Sequence, residues 1–306
     1  MKRILFVSYY FEPYSGIGSS RVSYWANHIH KFGFQTDVIT AYDGPSRSYN
    51  RIYIPPSHES RLLSKWIRDP GYLWCEKLKN FLNSPTGHKR YDYVLLTGGP
   101  FMQMKLGAKF KSKLDAMLVL DFRDPFAVNP RIHDGFLKKL IKKKLEKNFV
   151  KPADLIITVN EKCAKLLQAD RDKIVLIDNG FDEEKIQSIN FKPIESGGNL
   201  FNFIHAGKIY CDPSHFFRAV KKFEDKITLK YCGESHDLLS NYPWIKNEGF
   251  VKYERALQFI SEADCGLIFT SGEAFESTTK VFDYMAFNKK ILIITEGEPR
   301  TGALHD

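Results

Sequence analysis

No apolar run in this sequence approaches bilayer length: segments such as 155–159 and 291–294 fall far short of the roughly 20 residues a spanning helix needs. The opening Met1-Lys2-Arg3-Ile4-Leu5-Phe6-Val7 has too short an apolar part for a secretion signal, so a cytoplasmic location is expected. Cysteine is sparse and odd in number. The five, at 75, 163, 211, 232 and 265, form no C-x-x-C pair, which excludes a disulfide frame or a zinc cluster and leaves reduced, mostly buried thiols. Short repeats and low-complexity tracts are absent. Acids are in deficit, 36 against 45 basic residues, and the net charge of +9 favours anionic partners: phosphates, nucleic acid or an acidic lipid surface.

What is present is ordinary globular material. With 306 residues, 43% hydrophobic and 26% charged, the chain has enough for two domains with their own cores. Strand-length apolar segments alternate with segments of helical period, the pattern of parallel sheets built from βαβ units, so the class is α/β. In the first half, strands are predicted at 3–10, 35–41, 91–96, 116–122, 155–159 and 173–177, with a helix at 20–32. The stretch 188–199 carries Pro193, Ser196, Gly197 and Gly198 without periodicity and reads as a linker. A second series follows, with strands at 202–206, 227–232, 249–251, 265–269 and 290–295 and helices at 214–223, 253–263 and 279–286. The last strand lies close to Asp306, so the second domain is expected to be incomplete.

Five stations carry polar chemistry at strand ends. After the first strand, Gly16 and Gly18 shape a turn into a helix whose free N–H groups suit an anion, although Arg21 stands where a third glycine of G-x-G-x-x-G would be. Arg123 and Asp124 follow the strand that ends Val119-Leu120-Asp121-Phe122; the arginine could bind a phosphate and the acid orient or deprotonate a hydroxyl, or the two could be a solvated pair. Ala153-Asp154-Leu155-Ile156-Ile157-Thr158-Val159-Asn160 and the Asn179-Gly180-Phe181-Asp182 turn form the third. Gly207 and Lys208 open the second domain, where a glycine admits a ligand to the backbone and a lysine neutralises phosphate; His205 reads as a core histidine. Last come Ser277, Thr278, Thr279 and Lys280 at a helix start, with Asp283 one turn on, which suits a diphosphate and ribose, or else simple N-capping and a Lys280/Asp283 helix pair.

In this order, over nearly the whole chain, the stations resemble the GT-B glycosyltransferases, in particular the retaining family 4 that acts in bacterial polysaccharide biosynthesis. The segments that carry the likeness are 153–160, Asn179-Gly180-Phe181-Asp182, Gly207-Lys208-Ile209-Tyr210, 262–269 and 279–293. The resemblance implies two Rossmann-like domains facing each other across a cleft, 1–188 binding the acceptor and 189–306 the nucleotide sugar. It implies retaining transfer, of hexosyltransferase type, from a nucleoside diphosphate sugar to a saccharide or lipid-linked saccharide, with no metal and no other cofactor. Gly16 and Gly18 then match the loop near acceptor and donor phosphate, and Arg123-Asp124 the place where many members have His-Asp. Gly207 and Lys208 contact the donor diphosphate, with Ser277, Thr278, Thr279 and Lys280 beside it. Asp283 matches the second acid of the E-x7-E signature, expected on ribose; Phe275 holds the place of the first, between Glu273 and Glu276.

Other functions compete. Gly16, Gly18 and Asp43 keep an NAD oxidoreductase open, and an epimerase on the same architecture or a catalytically silent nucleotide-sugar-binding protein would share these stations. Within 136–149, apolar residues at 137, 140, 141, 145 and 149 keep helical spacing and six lysines occupy much of the rest. This predicts a basic amphipathic helix, either packed with its lysines in water or docked peripherally on an anionic membrane face. Nucleic acid is not expected as a partner.

Overall fold

The computed structural model describes residues 1–14, 17–57, 68–84, 89–189, 200–234 and 237–296. The chain divides into two units, Met1–Asp178 and Asn179–Asp306. The division falls ten residues before the expected 188/189 boundary, because Ile186 and Ile189 pack against the core of the second unit. Most of the predicted linker, 190–199, lies outside the described residues.

The first unit runs β1 Lys2–Ser8, α1 Ile17–His28, β2 Phe34–Thr40, β3 Asn50–Tyr53, α2 Gly71–Asn83, β4 Tyr93–Thr97, α3 Gly107–Leu114, β5 Met117–Phe122, α4 Phe136–Val150, β6 Leu155–Thr158, α5 Glu161–Leu166 and β7 Ile174–Leu176. Its seven strands lie in the order β3-β2-β1-β4-β5-β6-β7, every neighbouring pair parallel. Successive β1 residues enter opposite cores: Ile4 and Phe6 join Val22 and Ala26 of α1, whereas Leu5 and Val7 join Trp74 and Leu78 of α2. A strand buried on both faces reads as a continuous apolar run, which is why these strands were legible. β3 was not predicted. It is a short edge strand, Asn-Arg-Ile-Tyr, whose residues are half-buried or exposed.

The second unit contains α6 Glu183–Ser188, β8 Phe201–Ala206, α7 Ser214–Val220, β9 Ile227–Cys232, β10 Ile245–Asn247, α8 Tyr253–Ser261, β11 Cys265–Thr270, α9 Thr279–Ala286 and β12 Lys290–Thr295. Its five-stranded parallel sheet has the order β10-β9-β8-β11-β12, the same winding as the first five strands of the other unit. Both are Rossmann-like. The edge strand expected at 249–251 instead lies at Ile245–Asn247, paired with Leu229–Tyr231. Gly249 has φ +65 and its N–H bonds the Asn247 side chain, so the chain turns where the strand was predicted.

Helix α4 departs from the predicted orientation. Lys142, Glu146, Phe149 and Val150 are buried, while Phe136, Leu137, Leu140 and Ile141 are exposed at 80%, 66%, 47% and 37%. Two inward charges fix this face. Lys142 Nζ meets Asp134 at 2.5 Å, and the Glu146 carboxylate accepts backbone N–H groups of Ala127 and Gln168, each at 2.8 Å. Burial raises the Asp134 carboxyl, but Lys138 and Lys142 more than offset this and hold it below the usual range. Polar groups satisfied in this way can displace apolar ones from an inner face. Among the described residues no helix is long and apolar enough to cross a membrane.

Candidate functional site

In an open parallel sheet, ligands bind beyond the carboxyl ends of the strands where the strand order reverses. In the second unit that point lies between β8 and β11. Gly207 follows β8 with φ +111, and its N–H bonds the carbonyl of Cys232 at 2.6 Å. The opening beside it is filled by Lys280, from the first turn of α9. A Cβ on Gly207 would lie 2.8 Å from Lys280 Cε, and Lys280 Nζ donates to the Lys208 carbonyl at 3.0 Å. Lys280 is 5% exposed, and burial lowers its ammonium to about 8. Among the described residues no carboxylate lies within ion-pair distance of it; Glu276 acts only from further away.

The structure therefore brings Lys280 against Gly207 and the Lys208 carbonyl. The Lys208 side chain is exposed and reaches Glu234 at 3.8 Å, an exposed pair of little energetic weight that leaves the ammonium available. Thr278 is the N-cap of α9 but makes no side-chain cap hydrogen bond. Ser277 offers its carbonyl to the Asn179 side chain at 3.3 Å, which brings the Asn-Gly turn to the helix start; Thr279, like Ser277 and Thr278, is half-buried. No Lys280/Asp283 pair forms. Asp283 accepts the Tyr253 hydroxyl at 2.6 Å instead, and burial raises its carboxyl to about 6, against the opposing effects of Tyr253 and Lys185. Of the acids flanking Phe275, Glu276 turns back onto the end of β11, accepting hydroxyls of Thr270 and Ser271. His205 is a core histidine: fully buried, bonded to the Leu267 carbonyl at 2.9 Å, and lowered to about 3 by burial.

In the first unit Gly16 lies outside the described residues. Gly18 is in α1 with the Tyr10 ring over it, 3.2 Å from where a Cβ would stand, so close packing requires this glycine. Arg123 donates from Nη2 to the carbonyl of Gly98 at 2.6 Å, and Asp124 pairs with Arg131 at 2.7 Å, so the two expected catalytic side chains hold different partners. Arg21, noted in the sequence only as a departure from a glycine motif, has a larger role. Its Nε lies 3.4 Å from Asp121 Oδ1, both side chains buried, and its Nη groups hold the carbonyls of Ile177 and Asp178 at 2.7 and 2.8 Å. Asp121 also accepts the Thr97 hydroxyl at 2.9 Å. A carboxylate inside an apolar strand was the available signal, since such a charge needs a buried partner. All five cysteines are buried and unpaired, as expected. Among the described residues no group of three or more His, Cys, Asp or Glu side chains is placed to hold a metal ion.

Comparison with known proteins agrees with this architecture. The family model for Glycosyltransferase Family 4 matches residues 18–185. No curated protein matches the sequence. Similar solved structures include WaaG, a glycosyltransferase involved in lipopolysaccharide biosynthesis, at TM-score 0.63 and 13% identity, covering 95% of this chain and 80% of that one. A glycosyltransferase from Rickettsia africae ESF-5 gives 0.61 and 14%, covering 95% and 79%. HepE from Anabaena, solved in complex with UDP, gives 0.58 and 13%, covering 98% and 87%. At these identities the likeness is one of fold, and that fold is GT-B. With the family match spanning more than half its length, this chain belongs to Glycosyltransferase Family 4.

Proposed function

We propose that the protein transfers a sugar, with retention, from a nucleoside diphosphate sugar to a saccharide or lipid-linked saccharide acceptor in cell-surface polysaccharide biosynthesis, as a hexosyltransferase. The observation that carries this reading is Lys280, a buried ammonium beside a positive-φ glycine and an uncapped helix N-terminus. Such a group gains a countercharge when a diphosphate binds, and Lys208 Nζ can close on the same anion. The backbone N–H groups at Thr279 and Lys280 complete the cradle, with Ser277 and Thr278 at its entrance. These cations and dipoles suffice to stabilise a departing diphosphate without a metal. Asp283 takes the ribose, exchanging the Tyr253 hydroxyl for a sugar hydroxyl, while Arg123 and Asp124 serve the reacting end. Support comes also from HepE, solved with UDP, and from an Arabidopsis thaliana glycosyltransferase complexed with UDP-L-rhamnose at TM-score 0.59. A thermal-shift panel of UDP-, GDP-, dTDP- and CMP-sugars tests it, because a ligand specific to the folded state raises apparent stability. Binding followed by glycosyl transfer is the expected result. Binding without turnover would favour a silent nucleotide-sugar-binding protein, and interconversion of the donor sugar an epimerase.

The first unit supplies a membrane-docking face for a lipid-linked acceptor. On α4, Phe136, Leu137 and Leu140 are exposed together with Lys143, Lys144 and Lys147 one or two turns further along the same side. Apolar groups with lysines on an outward face fit the headgroup boundary of an anionic bilayer. The protein then works as a peripheral enzyme on the inner face of the membrane.

A further inference from the structure

Four tyrosines cluster where β1 and β2 end. The rings of Tyr10 and Tyr14 stack at 4.6 Å, Tyr42 is tilted against them at 5.8 and 5.1 Å, and Tyr9 meets Tyr10 edge-on at 5.0 Å and Trp74 at 5.5 Å. Backbone bonds hold each ring in place. Ser8 Oγ donates to the Tyr10 carbonyl at 2.6 Å, Ser19 Oγ to that of Tyr14 at 2.5 Å, Ala41 N–H to that of Tyr9 at 3.3 Å, and Thr40 Oγ1 accepts the Tyr42 N–H at 3.2 Å. The hydroxyls, by contrast, have no hydrogen-bond partner among the described residues. Phenylalanines would fill the same volume without four hydroxyls to solvate, so packing alone does not account for the residue type.

We infer that Tyr10, Tyr14 and Tyr42 form a subsite for one neutral pyranose ring of the acceptor, its apolar face against the exposed Tyr14 ring and its hydroxyls on the phenol groups of the cluster. This rests on the transferase reading above. The position is the carboxyl end of a parallel sheet, where such folds receive ligands. The electrostatics select a neutral guest. Burial is the main influence on the Tyr9, Tyr10 and Tyr42 phenols, followed by their neighbours' hydroxyls and, for Tyr9 and Tyr10, by Asp69; none of these influences is a cation. Arg51, which reaches this region, is committed to the carbonyls of Glu12 and Tyr42. Among the described residues no uncommitted cation faces these rings to pair with a phosphate or nucleotide. A sugar ring finds aromatic carbon and neutral donor-acceptor hydroxyls, the Tyr10 phenol being pushed up to about 12 and so protonated at working pH.

Saturation-transfer NMR with the methyl glucoside, galactoside and mannoside, each at millimolar concentration, tests this on the intact chain. At least one pyranoside is expected to receive saturation, and Tyr14→Ala, at a 37% exposed position that folding tolerates, should weaken its binding about fivefold. The Tyr10→Phe/Tyr42→Phe double variant keeps the rings and should lose part of the signal. No transfer to any pyranoside, equal transfer in wild type and Tyr14→Ala, or transfer to octanol in preference to sugars would overturn the subsite. Nucleotide-sugar binding, measured separately, keeps the two claims apart. Donor binding with silent pyranosides defeats the subsite alone, whereas Tyr14-dependent pyranoside binding without donor binding defeats the transferase reading and leaves a saccharide site.

Discussion

The side chain of Lys280 lies where the side chain of residue 207 would be: a Cβ at Gly207 would stand 2.8 Å from Cε and 3.4 Å from Nζ of the lysine. Gly207 also has φ +111, which L side chains rarely adopt. Gly207→Ala should therefore cost roughly 1 to 3 kcal/mol in backbone strain and displace the lysine. Thermal denaturation and donor calorimetry check this; unchanged stability together with unchanged affinity would refute the packing argument.

Because burial lowers Lys280 to about 8, the free protein loses that positive charge as the pH rises past 8. A bound diphosphate favours the charged form and moves the value back up, so binding takes up a proton near and above pH 8 and almost none at pH 6.5. Donor affinity should fall as the pH rises from about 8 and level off above the bound-state value. Calorimetry in buffers of different ionisation enthalpy reads the uptake, and Lys280→Met should abolish it while weakening affinity.

Arg21→Met would leave the Asp121 carboxylate fully buried without its cation, since that side chain has no exposure at all. Breaking one side of a buried pair costs about 3 to 5 kcal/mol, whereas replacing both partners is far milder. Arg21→Met/Asp121→Leu should accordingly be more stable than Arg21→Met. Denaturant titration of the three proteins decides it, and a double variant no better than the single one would contradict the coupling.

Asp283 has its carboxyl raised to about 6 by burial, above the ordinary 3.8, so the charged form opposes folding. The opposition is complete above pH 6 and disappears as the pH falls toward 4. Asp283→Asn, which can still accept the Tyr253 hydroxyl, should gain up to about 3 kcal/mol at neutral pH and almost nothing at pH 4. In kinetics the same variant should raise the donor Michaelis constant. A melting-temperature difference independent of pH would show that the carboxylate is not strained.

The outward face of α4 gives a membrane test with two arms. Leu137→Ser/Leu140→Ser should reduce co-sedimentation with anionic vesicles at every salt concentration. Lys143→Ser/Lys144→Ser should reduce it mainly at low salt, each lysine contributing about 1 kcal/mol near a charged leaflet. Equal pelleting of wild type with neutral and anionic vesicles would remove the electrostatic part of the proposal.

Elements with a single physical cause were legible in the sequence. The strand Cys265–Thr270 is buried throughout and reads as one apolar run, and the helix predicted at 20–32 is present as α1 from Ile17. The unreadable elements are those in which local pattern and long-range partner disagree. β3 alternates weakly because one side of an edge strand faces water. The 249–251 prediction failed because Gly249 turns the chain just after the strand has ended. Helix α4 was turned by Asp134, Ala127 and Gln168, whose reach to Lys142 and Glu146 no period within 136–149 records.

The sequence by itself determined the class and the two parallel-sheet domains, because strand periodicity is a local property, whereas the meeting of Gly207 and Lys208 with Lys280 joins distant positions. Only the tertiary structure decided that Arg21 is the cation for Asp121, that Asp283 faces Tyr253 rather than Lys280, and that four tyrosines share one surface. Those choices join residues that the fold, rather than the neighbouring sequence, brings within reach: the first two were made by the need of a buried charge for a partner, and the third by ring packing at the strand ends.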